Sequence, residues 1–507
     1  MMGSSRTPGS PPTMVEIELK LQVPESARRA VEATVATPGT RRQRLQATYF
    51  DTADRRLAAA GLALRIRKEG RRRVQALKGP GADAMQRMEH EVELPFAAGA
   101  VPDPARHAAT PCGERLAAAL APRAGEVAAP VLDAQFRTDV WRRKRVLRTR
   151  LGTVELAYDS GEIVAGDRRR PVHELEVELV SGRAAAVVEV ARRLMLRHGL
   201  WLDVTTKAAR GDRLALNLHL GPAPRARAVD LVAGMTADAA QRAVLGNCLR
   251  QILPNAGEVA SGQYGDEHVH QLRVGLRRLR TALRFFDGRA TPVPASWGER
   301  LAALFRGLGL VRDRDALAAS LLPSLQAAGA PLFELPPAPE GPTPTELMRS
   351  AEANALWLEL LAWQAEPPAA SEPDATPLRA AIDERLASWH RRVVRAGRRW
   401  AKLEDVDRHT LRKRAKSLRY AAEFVASLHD GESVARYLAG LAPVQDSLGR
   451  YNDLCVALAT YRDAVGDDPR AWFAIGWLTA RRDVLLAESA TALKAFARCR
   501  PFWKRRR

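Results

Sequence analysis

The hydropathy pattern of this 507-residue chain changes once, near residue 220, and that change limits the folds it can adopt. Before this point, apolar and polar residues alternate in short runs, which predicts β-strands. After it, apolar residues recur every three or four positions, which predicts helices. A chain of this length is also too long for one ordinary core. The sequence therefore predicts an α+β domain followed by an all-α domain.

Eight strands are predicted in the first part, and together they suit one large antiparallel sheet. They cover 15–23, 46–50, 62–68, 74–78, 89–94, 138–145, 154–158 and 173–179. One helix is predicted at 181–198, and a stretch rich in Gly, Pro and Ala at 221–234 indicates a linker. We therefore expect a disordered N-terminus at 1–13, the α+β domain at 14–220, the linker at 221–237 and the helical domain at 238–507.

Composition narrows the classes of protein further. The net charge of +21 and the sequence pI near 10.6 are compatible with a polyanionic partner. No apolar run has the length that a bilayer requires, and the N-terminus lacks the apolar core of a signal peptide, so we expect a cytoplasmic protein without membrane contact. The four cysteines are far apart in the sequence with no close pair, so neither a disulfide framework nor a zinc knuckle is indicated.

Two predicted strands carry rows of acidic residues. Because successive side chains of a strand point to opposite faces, Glu16, Glu18 and Lys20 share one face of the first strand. In the same way, Glu174, Glu176 and Glu178 form a row on a later strand. Carboxylates two residues apart repel one another, and a divalent cation would neutralise them. Oxygen ligands favour magnesium or manganese over zinc.

Other strands carry basic residues with the same spacing. Arg65 and Arg67 share one face, Lys78 ends the next strand, and Arg142 and Lys207 add two more cations. If acidic and basic strands share a concave face, the site could hold metal ions beside a chain of phosphates. The alternative is an amphipathic sheet whose solvated face carries ordinary mixed charges.

The helical part contains an internal repeat. The segment from His270 to Arg280 is similar to the segment from His409 to Arg419, at an offset of 139 residues. A second pair follows at an offset of 140: Leu308-Gly309-Leu-Val-Arg312-Asp313 and Leu448-Gly449-Arg-Tyr-Asn452-Asp453. Two ordered matches at nearly one offset predict two similar helical units that pack as a pseudo-symmetric pair.

Each copy of the repeat predicts a cationic stripe on a helix, opposite an apolar face. The first stripe, from His270 to Arg284, is about 21 Å long at about 1.5 Å per residue, which suits an extended polyanion. Two facing stripes would form a basic groove; the alternatives are a solvated helix face and, for the histidines, buried packing. The candidate binding residues are His270, Arg273, Arg277, Arg280, His409, Arg412, Lys416 and Arg419.

These motifs together resemble two known families. Residues 14–220 resemble the CYTH family of triphosphate tunnel metalloenzymes, and the helical part resembles the CHAD domain. The CYTH resemblance is carried by Glu16-x-Glu18-x-Lys20, Arg65-Ile-Arg67, Lys78, Thr138-Asp-Val-Trp-Arg142, Asp159-Ser-Gly161, Glu174-x-Glu176-x-Glu178 and Thr206-Lys207. The CHAD resemblance is carried by the repeated His270 and Leu308 segments.

The resemblance to CYTH implies an eight-stranded antiparallel tunnel barrel that binds and hydrolyses a linear triphosphate with Mg²⁺ or Mn²⁺. It implies catalytic roles for Glu16, Glu18 and Lys20, and metal binding by Glu16, Glu18, Glu174 and Glu176. The role of Glu178 stays ambiguous, and so does that of a further acidic row, Glu89, Glu91 and Glu93. Phosphate binding is implied for Arg65, Arg67, Lys78, Arg142 and Lys207.

The resemblance to CHAD implies a helical bundle that binds inorganic polyphosphate. Aromatic residues make up only 6% of the chain, which gives little support to stacking on nucleic-acid bases. The expected activity is inorganic triphosphate hydrolysis to pyrophosphate and phosphate. Alternatives are a non-catalytic polyphosphate-binding protein, associated for example with storage granules, and a thiamine or nucleoside triphosphatase or adenylate cyclase that uses the same tunnel.

Overall fold

The chain folds into two compact units. The computed structural model describes residues 14–38, 40–95, 101–126, 128, 130–309, 321–331, 340–366, 378–466 and 468–504. The first unit contains the described residues of Met1–Pro224, Arg250–Leu272 and Pro344–Pro367; the second contains those of Arg225–Leu249, Arg273–Thr343 and Pro368–Arg507. The predicted N-terminal segment 1–13 lies outside the described residues, and the domain limits expected from the sequence stay a prediction.

In the described part of the first unit, nine strands form one sheet. Their bounds are β1 (Met14–Gln22), β2 (Arg42–Asp51), β3 (Ala63–Glu69), β4 (Arg72–Pro80), β5 (Gln86–Leu94), β6 (Asp133–Arg148), β7 (Gly152–Ala165), β8 (Arg168–Gly182) and β9 (Trp201–Leu202). All eight predicted strands are therefore confirmed. Most extend a few residues beyond the predicted ends, because ladder pairing continues where the sequence alternation fades.

The sheet closes on itself through β1. The strand order is β5-β4-β3-β2-β6-β7-β8-β1, with β9 next to β1, and β5 also pairs with β1. Residues Met14–Ile17 of β1 pair with β5, whereas Glu18–Gln22 pair with β8, and every pairing is antiparallel. The predicted eight-stranded closed sheet is thus confirmed, and the small β9 extends one edge.

The closed sheet places its polar face inside and its apolar face outside. On β8, Leu175 and Val177 are fully buried, while the alternate glutamates line the interior. The helix α4 (Ala184–His198) packs over the outside of β1, β7 and β8 with the side chains of Val187, Val190 and Leu194. This helix confirms the predicted one and covers the apolar face from solvent.

Among the described residues before the linker, four other α-helices belong to the first unit. They are α1 (Arg28–Val35), α2 (Arg56–Ala59), α3 (Pro111–Leu120) and α5 (Lys207–Ala215). Helix α5 packs on β6, β7 and β8, and the Thr206 hydroxyl accepts a hydrogen bond from Ala209 N at its start. The sequence pattern predicts none of these four helices.

The rest of the described chain is helical, as predicted. Its helices are α6 (Ala237–Ser261), α7 (Asp266–Phe286), α8 (Ser296–Gly307), α9 (described over 321–327), α10 (Pro344–Arg349), α11 (Ala351–Ala365), α12 (Leu378–Gly397), α13 (Asp405–Phe424), α14 (Gly431–Ala464) and α15 (Ala471–Phe496). Within the described part of the chain, none of the helices combines the length and apolar character needed to cross a membrane.

Two segments from the helical half belong to the first unit. Residues 250–272 are the end of α6 and the start of α7, and residues 344–367 contain α10 and α11. Helix α11 packs on α4 and on β9, and the buried Asn354 side chain accepts a hydrogen bond from Leu202 N at 3.0 Å. A residue far along the chain therefore accepts a backbone hydrogen bond at the outer edge of β9.

In the second unit, α13 packs against α12 and α14, and α14 packs against α15. Leu411, Leu418 and Leu441 are fully buried in this unit. Both copies of the first repeated motif lie on helices, α7 and α13. In the second motif, Arg312 and Asp313 lie outside the described residues, so the pseudo-symmetric pairing stays a prediction. The expected linker forms no helix or strand over 221–236, but Val229 and Leu231 in it are buried.

Gly211 allows α5 to approach the sheet closely. A Cβ atom at this position would lie 2.1 Å from the ring of Phe136, which is itself stacked on Tyr49 at 4.6 Å. Gly211→Ala should therefore destabilise the protein by about 1–2 kcal/mol, because overpacking outweighs the gain in helix propensity. Urea unfolding followed by circular dichroism measures this change.

The matched control is Gly476→Ala in α15, where a Cβ atom would meet nothing within 4 Å. This variant should be stabilised by up to about 1 kcal/mol, since only helix propensity changes. Equal effects of the two substitutions would contradict the close contact between α5 and Phe136.

Candidate active site

The interior of the closed sheet brings together oppositely charged side chains from seven strands and one helix. One cavity of about 390 Å³ is lined by Glu16, Glu18, Arg65, Arg67, Lys78, Glu89, Glu91, Arg142, Asp159, Glu176, Glu178 and Lys207, among others. Lys20 and Glu174 join this set through ion pairs. The ten predicted site residues of the tunnel therefore lie together, while their roles stay predictions.

Lys78 bridges two carboxylates at the pairing of β1 with β5. Its Nζ atom lies 2.9 Å from Glu16 Oε2 and 2.7 Å from Glu89 Oε2. Burial raises the pKa of Glu16 to about 8, and the adjacent Glu89 acts in the same direction. Burial opposes ionisation of Glu89 as well, but Lys78 and Arg65 hold its pKa below the ordinary value. Glu16 and Glu89 therefore compete for one cation.

Glu18 is the centre of a second group. Its Oε1 atom lies 2.7 Å from Lys20 Nζ and 2.9 Å from Arg87 Nε, and the residue is 6% exposed. Burial alone would raise its pKa, but Lys20, Lys78 and Arg87 lower it. Glu18 is therefore an ionised carboxylate inside the sheet.

The third group joins β7, β8 and α5. Lys207 Nζ lies 2.7 Å from Asp159 Oδ2, 3.0 Å from Glu176 Oε1 and within contact of Glu174. Arg142 binds Asp159 with two hydrogen bonds of 2.6 and 2.7 Å and Glu176 with one of 2.6 Å. Although burial opposes ionisation, Arg142 and Lys207 keep the pKa values of Asp159 and Glu176 below their ordinary values.

The two arginines of β3 complete the interior. Arg65 Nη1 donates to the Tyr49 hydroxyl at 3.2 Å, and Arg67 Nη2 lies 3.0 Å from Glu91 Oε1. Both side chains are about 15% exposed, so they line the interior and still contact solvent.

This arrangement can exchange partners when a charged ligand enters. Each lysine or arginine now neutralises a carboxylate, and a phosphate chain could take over these cations. The released carboxylates would then need positive charge, which divalent cations bound by oxygen ligands supply. Carboxylate oxygens of Asp159, Glu174 and Glu176 lie within 4.8 Å of one another, so the donor set suits a hard cation.

The sequence patterns assign no role to several residues of the interior. Arg87 and Glu89 lie on β5, where the alternation of positions 87, 89 and 91 was the available signal. Asp159 belongs to the motif Asp159-Ser-Gly161, and the resemblance to CYTH implies no role for it. Arg210, on α5, lies 2.8 Å from Glu174 Oε2, and only its position one helical turn after Lys207 could have indicated it.

One mouth of the interior is partly apolar. A second cavity of about 630 Å³ in the first unit runs from Lys20, Lys78 and Lys207 to the apolar side chains of α2, α5 and the following segment. Leu62, Leu64, Phe136, Leu218 and Leu220 line it, and Leu218 and Leu220 are about half exposed. No pattern in the sequence predicts this pocket.

The second unit contains a cluster of cations from the two repeated helices. Burial lowers the pKa of Lys416 on α13 to about 7; Arg412, Arg277 and Arg273 act in the same direction, and Asp453 opposes them. The guanidinium groups of Arg273 and Arg277, on α7, lie 4.6 and 5.3 Å from the centre of the Phe305 ring. The two predicted stripes thus meet in part.

The other predicted stripe residues have different surroundings. Arg419 is paired with Glu423 at 2.7 Å, and His409 Nδ1 contacts the Asn452 side chain. Arg280 is half-buried beside Arg306, and burial lowers its pKa. His270 is half-buried and belongs to the first unit. Arg273, Arg277 and Arg412 are the cations that act on Lys416, so the cation cluster consists of these four residues; Arg412 also lies 3.9 Å from Asp453.

Family models match most of the chain. The model of the CYTH domain matches residues 14–211, and the model of the CHAD domain matches residues 243–462. An inorganic triphosphatase of Haemophilus influenzae is 26% identical over 165 residues. This match covers 32% of the present chain and 44% of the relative, so the chain spans less than half of that relative's length.

Solved structures similar to each half are also known. The CHAD domain from the plant Ricinus communis is 29% identical, with 54% of this chain and 97% of that chain covered, at a TM-score of 0.43. HpAC1 from Hippeastrum, which has a dominant triphosphatase activity, is 21% identical, with 40% and 97% covered, at a TM-score of 0.29.

Lys207 holds three buried carboxylates together, so its removal should weaken the fold. Lys207→Met should lower the free energy of unfolding by about 3 kcal/mol, because the remaining carboxylates lose one buried counter-charge. Chemical denaturation at pH 7.5 measures this.

Lys144→Met is the matched control, since Lys144 is about half exposed and pairs with Glu155. It should change the unfolding free energy by less than about 1 kcal/mol. If both variants were equally stable, Lys207 would not be the counter-charge of the three carboxylates.

Proposed function

The chain consists of a CYTH domain followed by a CHAD domain, and from this premise we propose that it hydrolyses inorganic triphosphate to pyrophosphate and phosphate. The observation that carries the proposal is the interior of the closed sheet, where ion-paired lysines, arginines and carboxylates line one cavity. A linear triphosphate is the simplest ligand that matches a row of cations flanked by carboxylates.

The cations would bind the phosphate chain. Arg65, Arg67, Lys78, Arg142 and Lys207 come from β3, β4, β6 and α5, so they surround the ligand rather than contact one end of it. All five are now paired with carboxylates, and none needs a long movement to reach a phosphate oxygen in the same cavity. Charge-assisted hydrogen bonds of this type are the strong ones.

Carboxylates of β1 and β8 would hold divalent cations. Glu16, Glu18 and Glu176 line the cavity with oxygen donors only, which suits Mg²⁺ or Mn²⁺. Glu174 is fully buried between Lys207 and Arg210 and is therefore the least accessible of the four predicted ligands. A bound divalent cation supplies charge neutralisation at the phosphoryl oxygens.

The reaction is a displacement at phosphorus. A water molecule that donates a hydrogen bond to Glu18 attacks the terminal phosphorus, the bond to the bridging oxygen breaks, and pyrophosphate leaves. The proton lost by water passes through Glu18 to a phosphate oxygen or to solvent. Lys78 and Lys20, beside Glu18, stabilise the charge that develops on the transferred group.

The helical domain would bind inorganic polyphosphate. Arg273, Arg277, Arg412 and Lys416 concentrate positive charge from two helices; burial lowers the pKa of Lys416 most, and the neighbouring arginines lower it further. An extended polyanion relieves the repulsion along the whole cluster, whereas a single phosphate relieves only part of it.

A second candidate is hydrolysis of an organic triphosphate. The apolar mouth next to Lys20 and Lys207 has the volume and lining for an organic group, and it opens from the same interior. A triphosphate bound in the cation row could extend such a group into this mouth. A panel of inorganic, nucleoside and thiamine triphosphates separates the two candidates by their kcat/KM values.

Glu18→Gln should lower triphosphate hydrolysis roughly a hundredfold or more, because the neutral amide brings no negative charge to a divalent cation and is too weak a base to accept the proton of water. Phosphate release with Mg²⁺ and with Mn²⁺ is the measurement. The control is Glu93→Gln on β5, whose side chain is exposed and paired with Arg72. Full activity of Glu18→Gln would exclude the catalytic role, and an inactive wild-type protein would favour a purely binding function.

Polyphosphate binding should weaken as the pH rises from 6 to 8. Lys416 is protonated below a pKa of about 7 and neutral above it, so binding above this pH requires proton uptake. We expect about tenfold weaker binding at pH 8 than at pH 6, from the loss of one charge-assisted contact. Titration calorimetry in two buffers of different ionisation enthalpy measures both the affinity and the proton uptake.

Lys416→Met should remove most of this pH dependence, whereas Lys413→Met, at an exposed position of the same helix, should retain it. An unchanged pH dependence in Lys416→Met would assign the titration to another group.

A further inference from the structure

The first unit is completed by helices from the segment that the CHAD model matches. That model covers 243–462, yet Arg250–Leu272 and the described residues of Pro344–Pro367 belong to the same compact unit as the sheet. One residue of these helices is connected to the interior of the closed sheet by a series of ion pairs on α5. This residue is Glu258, near the end of α6, and it is only 5% exposed.

Glu258 is bound to α5. Its Oε1 atom lies 2.7 Å from Arg213 Nη1, and the Thr205 hydroxyl lies 3.5 Å from the same oxygen. The Arg213 guanidinium also lies against Gly221, where a Cβ atom would be 2.2 Å from Cζ. Arg213 is therefore held between Glu258 and the backbone of Gly221.

Helix α5 carries three cations at intervals of three residues. Lys207 enters the group of Asp159, Glu174 and Glu176, while Arg210 contacts Glu174 at 2.8 Å and Asp203 at 3.2 Å. Arg213 follows one turn later. The helix has nine residues, too few to be stable alone, so these contacts determine where it lies.

From this chain of contacts we infer that Glu258 is a positioning residue for the triphosphate site. It fixes α5 through Arg213, and α5 in turn holds the Lys207 ammonium at the phosphate row. The inference rests on the proposed function, since it assigns Lys207 to the substrate. It also means that a helix matched by the CHAD model contributes to the site formed by the CYTH domain.

A positioning role predicts a change in substrate binding rather than in the amount of folded protein. Glu258→Gln should raise both KM and the calorimetric Kd for inorganic triphosphate about tenfold, because Lys207 is no longer held in place. A residue that only stabilises the fold would lower kcat in proportion to the folded fraction and leave KM and Kd unchanged.

The matched control is Glu366→Gln. Glu366 also comes from the helical half and pairs with an arginine of the N-terminal part, Arg183, at 3.0 Å, but that pair is exposed. Its KM and Kd should equal those of the wild type. Unchanged binding in Glu258→Gln, or an equal loss in Glu366→Gln, would overturn the inference.

Arg213 provides a second route to the same test. Arg213→Met should weaken triphosphate binding as much as Glu258→Gln, and the double variant should lose no more than either single variant, because both act through one ion pair. Additive losses would contradict the inference. If Glu258→Gln does not fold, Arg213→Lys, which keeps the charge, should give a smaller loss than Arg213→Met, and equal binding in the two would contradict it.

Calorimetric measurement of Kd distinguishes failure of this inference from failure of the proposed function. A wild-type protein that binds triphosphate but releases no phosphate would refute the proposed hydrolysis and still allow the effect of Glu258 on Kd to be measured. A wild-type protein that hydrolyses triphosphate, with unchanged KM and Kd in Glu258→Gln, would refute the inference alone.

Discussion

Opposite charges enclosed in a sheet are the constraint on which the rest of this structure depends. Lys78, Arg142 and Lys207 each contact two or more carboxylates in the interior, where withdrawal from water penalises every unpaired charge. Apolar side chains of similar volume would stabilise such an interior at least as well. The charges are therefore better explained by a ligand that exchanges with them than by stability, and the sheet must close so that all of them reach one cavity.

A polar interior requires an apolar exterior, and the helices follow from that requirement. Leu19, Leu21, Leu175 and Val177 face outward and are buried beneath helices such as α4. Helix α4 is covered in turn by α11, and the edge of β9 is capped by Asn354. The sheet thus depends on two successive layers, and the outer layer comes from the C-terminal half of the chain.

The strands and the separation of charge on them could be predicted from sequence because a strand repeats every two residues, and Glu16, Glu18 and Lys20 fall on one face whatever the neighbours are. Helix α5 could not, since Lys207–Ala215 is short and is stabilised by contacts such as that of Gly211 with Phe136. The contact partners of a buried helix face could not be predicted either: the sequence predicts that the region of α11 is helical, but not that Asn354 contacts β9. On α13, the cationic stripe could be predicted from the sequence, whereas the pairing of Arg419 with Glu423 depends on the side-chain rotamers of the folded protein.

The interleaving of the two units also bears on how the chain is made. Pro367 follows Pro224 by roughly 140 residues, so at about 5–20 residues per second the ribosome needs roughly 7–30 s to deliver the last helices of the first unit. During that interval the outer surface of α4 and the edge of β9 lack their final cover. The nascent sheet is then a natural client for chaperones that shield apolar surface, and its maturation is tied to the completion of the helical half.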